Sequence, residues 1–206
     1  MEKTRISIVS YLNSKPFLFG IKKSELISQL EMSLDIPSKI VAKLAFNLSD
    51  IGLIPVAGLA DLEKYEIISD YCIGAVGKVK TVVLVSDVPL NEIENVLMDY
   101  QSRTSVLLAK VLAMFFWKKE FKWENTCNNF QHKSIKGKTA GVLIGDRVFE
   151  VEGKFKSSYD LSEEWERFPN LPFVFAVWAA NKEIPAAFES EFNKALKLGL
   201  ENMDAV

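Results

Sequence analysis

Residues 6–17, ISIVSYLNSKPF, decide how this 206-residue chain is read. Ile6, Ile8 and Val9 form a short apolar run with the β-branched content of a buried strand. The run stops at Ser10, Tyr11, Leu12 and Asn13, a cluster rich in hydrogen-bonding side chains. Ser14 reads as a helix N-cap, and Pro16 falls just inside the helix, where a missing N–H costs nothing. Strand, polar loop and helix start, in that order, are how α/β proteins hold ligands. The same order also describes an ordinary strand–turn–helix, so the rest of the chain has to choose.

Outward from this stretch, Leu30, Met32, Leu34 and Ile36 alternate with Glu31, Ser33 and Asp35, which predicts a half-buried strand. Pro37 opens a helix with Ile40, Val41 and Leu44 on one face, and Asn47 is its stop. Residues 51–54 are a short apolar strand closed by Pro55, residues 56–62 a helix, and residues 67–76 a strand interrupted at Gly74. Such alternation implies a mainly parallel sheet with helical cover. Further on, residues 80–86 (KTVVLVS) and 96–100 read as strands. A helix over 105–117 carries Val106, Leu107, Val111, Leu112 and Phe115. Residues 118–138 read as surface turns with a variable insertion, and 141–144 as a buried strand ending at Gly145 and Asp146. Asp160 and Glu163 form a capping box. Residues 172–178 are the last strong strand, and 185–202 an amphipathic helix striped by Phe188, Phe192, Leu196 and Leu200. We expect two α/β lobes, residues 1–80 with 178–206 and residues 81–177, with a ligand cleft between them.

Several functions are excluded. A net charge of -2 without a basic block argues against nucleic acid. The apolar runs are too short for a membrane span, and residues 1–5 lead straight into the first strand, so the expected location is the cytoplasm. Cys72 and Cys127, far apart, read as buried or reduced thiols rather than a disulfide. There is no glycine-rich phosphate loop, GxSxG, CxxC or HExxH. The single histidine, His132, lies in a lysine-rich surface stretch, so neither a histidine triad nor a multi-histidine metal site is expected.

What remains are hydroxyl, amide and backbone donors at strand ends: Ser10, Tyr11 and Asn13, then Ser86, then Ser102, Arg103, Thr104 and Ser105, then Gly145 and Asp146. In an open α/β lobe such ends converge on one crevice. The serine-rich group at a helix start suits a carboxylate or phosphate, with Arg103 adding charge. Each residue also has a plain structural reading: Ser102 as a cap, Asn13 as a turn residue, Ser86 as the partner of a nearby backbone group. Together they indicate a site for a small anionic molecule.

The segments SYLNSKPF (10–17), DIGLIPV (50–56), SRTSVLLAKVL (102–112), IGD (144–146) and LPFVFAVW (171–178), in this order, resemble the chorismate dehydratases of the futalosine route to menaquinone. The resemblance implies a type II periplasmic-binding-protein-like fold. It also implies dehydration of chorismate without metal or organic cofactor, because aromatisation supplies the driving force. By this resemblance Asn13 and Ser86 serve the chemical step, whereas Ser10, Tyr11, Pro55, Ser102, Arg103, Thr104, Ser105, Gly145 and Asp146 bind substrate. The related dihydroxynaphthoate synthases share the fold but carry an Asp in the opening loop. Family members continue past the position of Val206, which implies more helical cover for the first lobe. A homodimer is compatible with the resemblance. Two other functions fit the same reading: a solute-binding protein for a small carboxylate, and an enzyme acting on another cyclic carboxylate.

Overall fold

The structure, a computed structural model, describes residues 3–9, 11–100, 102–127 and 132–206. Its strands are β1 (Thr4–Val9), β2 (Leu30–Asp35), β3 (Ile51–Pro55), β4 (Glu66–Ala75), β5 (Val82–Ser86), β6 (Asn95–Met98), β7 (Lys122–Asn125), β8 (Thr139–Ile144), β9 (Ser157–Asp160) and β10 (Phe173–Ala180). The α-helices are α1 (Lys15–Lys23), α2 (Pro37–Ala45), α3 (Arg103–Val111), α4 (Leu161–Arg167) and α5 (Ala186–Leu200). The chain divides into two compact units, Met1–Ile73 with Val174–Val206, and Gly74–Phe173.

The first unit is built on a sheet ordered β2-β1-β3-β10-β4. β1 runs parallel to both β2 and β3, and β10 returns antiparallel to β3. Ile6, Ile8, Leu53 and Trp178 are shut away from solvent, as the apolar runs require. The indole of Trp178 meets Phe17 edge-on at 5.9 Å and Phe192 at 5.0 Å, tying α1 and α5 to the sheet. α2 buries Ile40, Val41 and Leu44, and Asn47 beyond its end adopts a left-handed φ of 54°.

The second unit carries the sheet β7-β6-β8-β5-β9. β6 is parallel to β7 and β8, and β5 is antiparallel to β8 and β9. Val83, Val85, Leu97 and Leu143 bury together with Val148 and Val151 from the segment after β8.

Several expectations need correcting. β2 buries Leu30 and packs Met32 against the core, but the alternation breaks at its end, where Leu34 is exposed while Asp35 is buried. Lys39 and Lys43 reach Asp35 from α2, so its charge is satisfied where a bare carboxylate would not be tolerated. Gly74 does not interrupt β4, because it is exposed on an edge strand where no side chain has to pack. α3 buries Leu108 and Ala109 and the turn that continues it buries Leu112 and Ala113, while Leu107 and Phe115 face solvent. A π-helical turn over Leu112–Trp117 shifts the helical phase and brings Trp117 Nε1 to Glu164 Oε2 at 2.7 Å. The 118–138 segment contains β7, an edge strand whose Trp123 packs against Phe121. Cys72 and Cys127 are free thiols, as expected, but both are exposed. Among the described residues no helix is long and apolar enough to cross a membrane.

Candidate functional site

In the first unit, Ile6 stands opposite Ile51 and Ser7 opposite Gly52, so parallel β1 and β3 end on one edge of the sheet. The loop after β1 and Pro55, half-buried at the close of β3, therefore lie side by side. Ser14 takes the N-cap position of α1, but its hydroxyl does not cap the helix. It donates backwards instead, to the carbonyl oxygens of Val9 and Tyr11. That bonding folds the loop tightly and leaves Tyr11, Leu12 and Asn13 facing solvent. Ser10 lies outside the described residues. Asp35, in register with Val9 on β2, stands on the same edge. Hydrogen bonds from Lys39 and Lys43 hold its carboxyl at about 2, against the opposing effect of burial. The two ammonium groups keep this edge from being strongly anionic.

In the second unit, parallel β6 and β8 likewise end on one edge, which gathers residues 99, 100, 102–105 and 145–147. Ser102 caps α3, its Oγ accepting from the Ser105 N–H at 3.1 Å and lying 2.8 Å from the Ser105 hydroxyl. Thr104 and Ser105 are buried and Arg103 is exposed. Gly145 adopts φ +67°, a conformation that favours glycine, and donates its N–H to the Thr81 carbonyl at 2.8 Å. Asp146 follows it, exposed. The positive end of the α3 dipole, the hydroxyls and this turn form an edge suited to a carboxylate.

Ser86 is not part of this gathering. Val82 pairs with Ile144 and Val85 with Gly141, so β5 runs away from the Gly145 edge and carries Ser86 roughly 13 Å along the strand. There Ser86 is fully buried, and its Oγ accepts from the Val88 N–H at 3.1 Å. The expected convergence of strand ends thus holds for β6 and β8 but fails for β5, because β5 is antiparallel.

Sequence reasoning missed three residues at the second edge. Thr81 supplies the carbonyl that holds Gly145, Asp99 follows β6, and Arg147 follows Asp146. Arg147 Nη2 binds Asp99 Oδ2 at 2.5 Å, and its guanidinium lies 5.5 Å from the Tyr100 ring centre. For Asp99 the available signal was positional: a charged residue directly after an apolar strand. A separate crevice of about 410 Å³ in this unit has Val83, Val85, Val151 and Phe155 as its apolar wall and Lys78 and Lys80 at its rim. None of the predicted site residues lines it.

This architecture is that of the type II periplasmic binding proteins. The chain matches protein AF1704 from Archaeoglobus fulgidus over 98% of its own length and 78% of that chain, at 18% identity and a TM-score of 0.69. It matches an ABC transporter protein from Parabacteroides distasonis over 98% and 73%, at 17% identity and 0.63. The periplasmic aliphatic sulphonate binding protein SsuA from Escherichia coli matches over 100% and 76%, at 13% identity and 0.61. At these identities the likeness is one of fold. Family membership comes from the sequence itself: the pattern of the menaquinone biosynthesis family spans residues 4–206, and the chain belongs to that family.

Proposed function

We propose that the protein is a cytoplasmic chorismate dehydratase, removing water across C3 and C4 of chorismate to give 3-[(1-carboxyvinyl)oxy]benzoate. The observation that carries the reading is membership of a menaquinone biosynthesis family over residues 4–206, joined to the SYLN and SRTS segments at strand ends. Chorismate is a dianion, and its ring carboxylate acidifies the C3 proton through the conjugated system. The α3 start, with Ser102, Thr104 and Ser105, offers a helix dipole and hydroxyls to a carboxylate. Arg103 and Gly145 add a charge and a turn. Asn13, exposed beside Tyr11, supplies an amide able to hydrogen-bond the departing C4 hydroxyl.

None of these groups is a strong base except Asp146, and a fixed anion beside a dianionic substrate is unfavourable. The substrate's own enolpyruvyl carboxylate takes the C3 proton. The electron pair of the C3–H bond enters the ring as the C4–O bond breaks, and the same proton leaves on the hydroxyl as water.

Incubation of the purified protein with chorismate, followed by chromatography and ultraviolet spectra, tests this. A benzoate lighter by one water establishes the activity. The fold shared with solute-binding proteins favours a second reading, binding without chemistry. That reading predicts chorismate-dependent thermal stabilisation with no product. Absence of both signals would reject chorismate as the ligand.

A further inference from the structure

We propose that Asp99 and Arg147 are the positioning residues of the carboxylate-binding edge in the second unit, an inference that rests on the reading above. The Asp99 side chain has no solvent exposure, whereas that of Arg147 retains 28%. A buried carboxylate is tolerated only when it is partnered, and one partner of Asp99, Arg147, comes from a different loop, 48 residues away. Asp99 directly follows β6, three residues before the Ser102 cap, and Arg147 directly follows Gly145 and Asp146. The ion pair therefore bridges two neighbouring strand ends, about 4.8 Å apart in a sheet, and sets the spacing between the α3 start and the Gly145 turn.

Val148 and Val151 anchor the far end of the segment in the core. A methyl group added at Gly145 would meet no atom within 4 Å, so no packing contact holds the glycine itself in place. Its backbone is fixed by the Thr81 carbonyl on one side and by the Arg147 anchor on the other. The guanidinium also lies over Tyr100, and a planar group is needed to meet a carboxylate and a ring face together. Lysine keeps the charge but cannot reproduce that geometry. The pair is thus the device that pre-organises the edge before substrate arrives.

The test is chorismate kinetics on wild type, Asp99→Asn, Arg147→Lys, Arg147→Met and the double variant Asp99→Asn/Arg147→Met, each corrected for its folded fraction. We expect KM to rise about 10-fold or more in Arg147→Met and Asp99→Asn while kcat stays within about 3-fold, because pre-organised binding is lost in ground and transition states alike. Arg147→Lys recovers only part of the loss. The double variant is no worse than the poorer single one, as expected for residues acting through one contact. Unchanged KM in folded variants, or additive losses, overturns the proposal. If wild type itself shows no turnover, the dehydratase reading fails and the positioning role is read from amide hydrogen exchange. The Gly145 N–H then exchanges about 10-fold faster in Asp99→Asn and Arg147→Met than in wild type, and equal rates overturn it.

Discussion

Gly20 of α1 and Gly199 of α5 meet backbone to backbone. A methyl group on Gly199 would stand 1.8 Å from the Pro16 carbonyl oxygen, and one on Gly20 would stand 2.0 Å from the Ala195 carbonyl oxygen. No flexible side chain can give way there, because the obstructing atoms are backbone. Gly199→Ala therefore forces the two helices apart and costs about 3 kcal/mol, the upper part of the usual range for overpacking. A urea denaturation midpoint measures it. A variant as stable as wild type would show that the helices do not cross this closely.

Asp160 does more than cap α4. Its Oδ1 accepts from the N–H groups of Ser162 and Glu163, and its Oδ2 from those of Val79 and Lys80. One buried carboxylate thus ties the segment entering β5 to the start of α4. Loss of an ordinary cap costs about 1 kcal/mol, and that is the expectation for Ser102→Ala. Asp160→Ala should approach 3 kcal/mol, since charge-assisted bonds on two segments vanish together. Equal losses in the two variants would reduce Asp160 to a cap.

Acid should unfold the first unit through two carboxylates. Asp35 is held at about 2 by Lys39 and Lys43. For Asp50 burial pushes upward, but the Arg5 side chain and backbone N–H, with Lys182, prevail and hold it at about 2. In an unfolded chain both titrate near about 3.9. A folded value below the unfolded one gives stability that is present above about pH 4 and is lost as the pH falls toward 2. Denaturation midpoints measured from pH 6 to pH 2 should therefore drop most steeply below pH 4. Asp50→Asn should start lower at pH 6 and lose less on acidification. A slope unaltered in both Asp50→Asn and Asp35→Asn would assign the acid sensitivity elsewhere.

What could be read from the sequence was what neighbouring residues determine. Ile6, Ile8 and Val9 announce a buried strand, Asn47 a helix stop, and Asp160 a helix start, because each signal lies within one turn or one strand. Strand direction is not local. KTVVLVS reads the same whether it runs with β8 or against it, and only the sheet's pairing sends Ser86 to the far edge. Asp35 was assigned to the solvent face because the alternation rule cannot see Lys39 and Lys43 arriving from α2. The Asp99–Arg147 contact joins residues 48 positions apart and leaves no periodic trace at all.

Asn13 and Ser86 provide opposite tests of the proposed chemistry. Asn13 is exposed in a short 3-10 turn, so Asn13→Ala should leave the denaturation midpoint unchanged within about 0.5 kcal/mol. If its amide assists the departing hydroxyl, kcat for chorismate falls about 100-fold while KM holds. Ser86 is fully buried and its oxygen serves the Val88 N–H. Ser86→Ala should therefore cost about 1 kcal/mol of stability and leave kcat within a few-fold. Asp146→Asn, at an exposed position, should retain activity if the substrate's own carboxylate accepts the proton. Steady-state kinetics beside urea titrations of the three variants separate these effects. A catalytic loss in Ser86→Ala with stability intact would mean that the β5 end reaches substrate after all. A collapse of kcat in folded Asp146→Asn would transfer the proton to the protein, and the substrate-assisted mechanism would be abandoned.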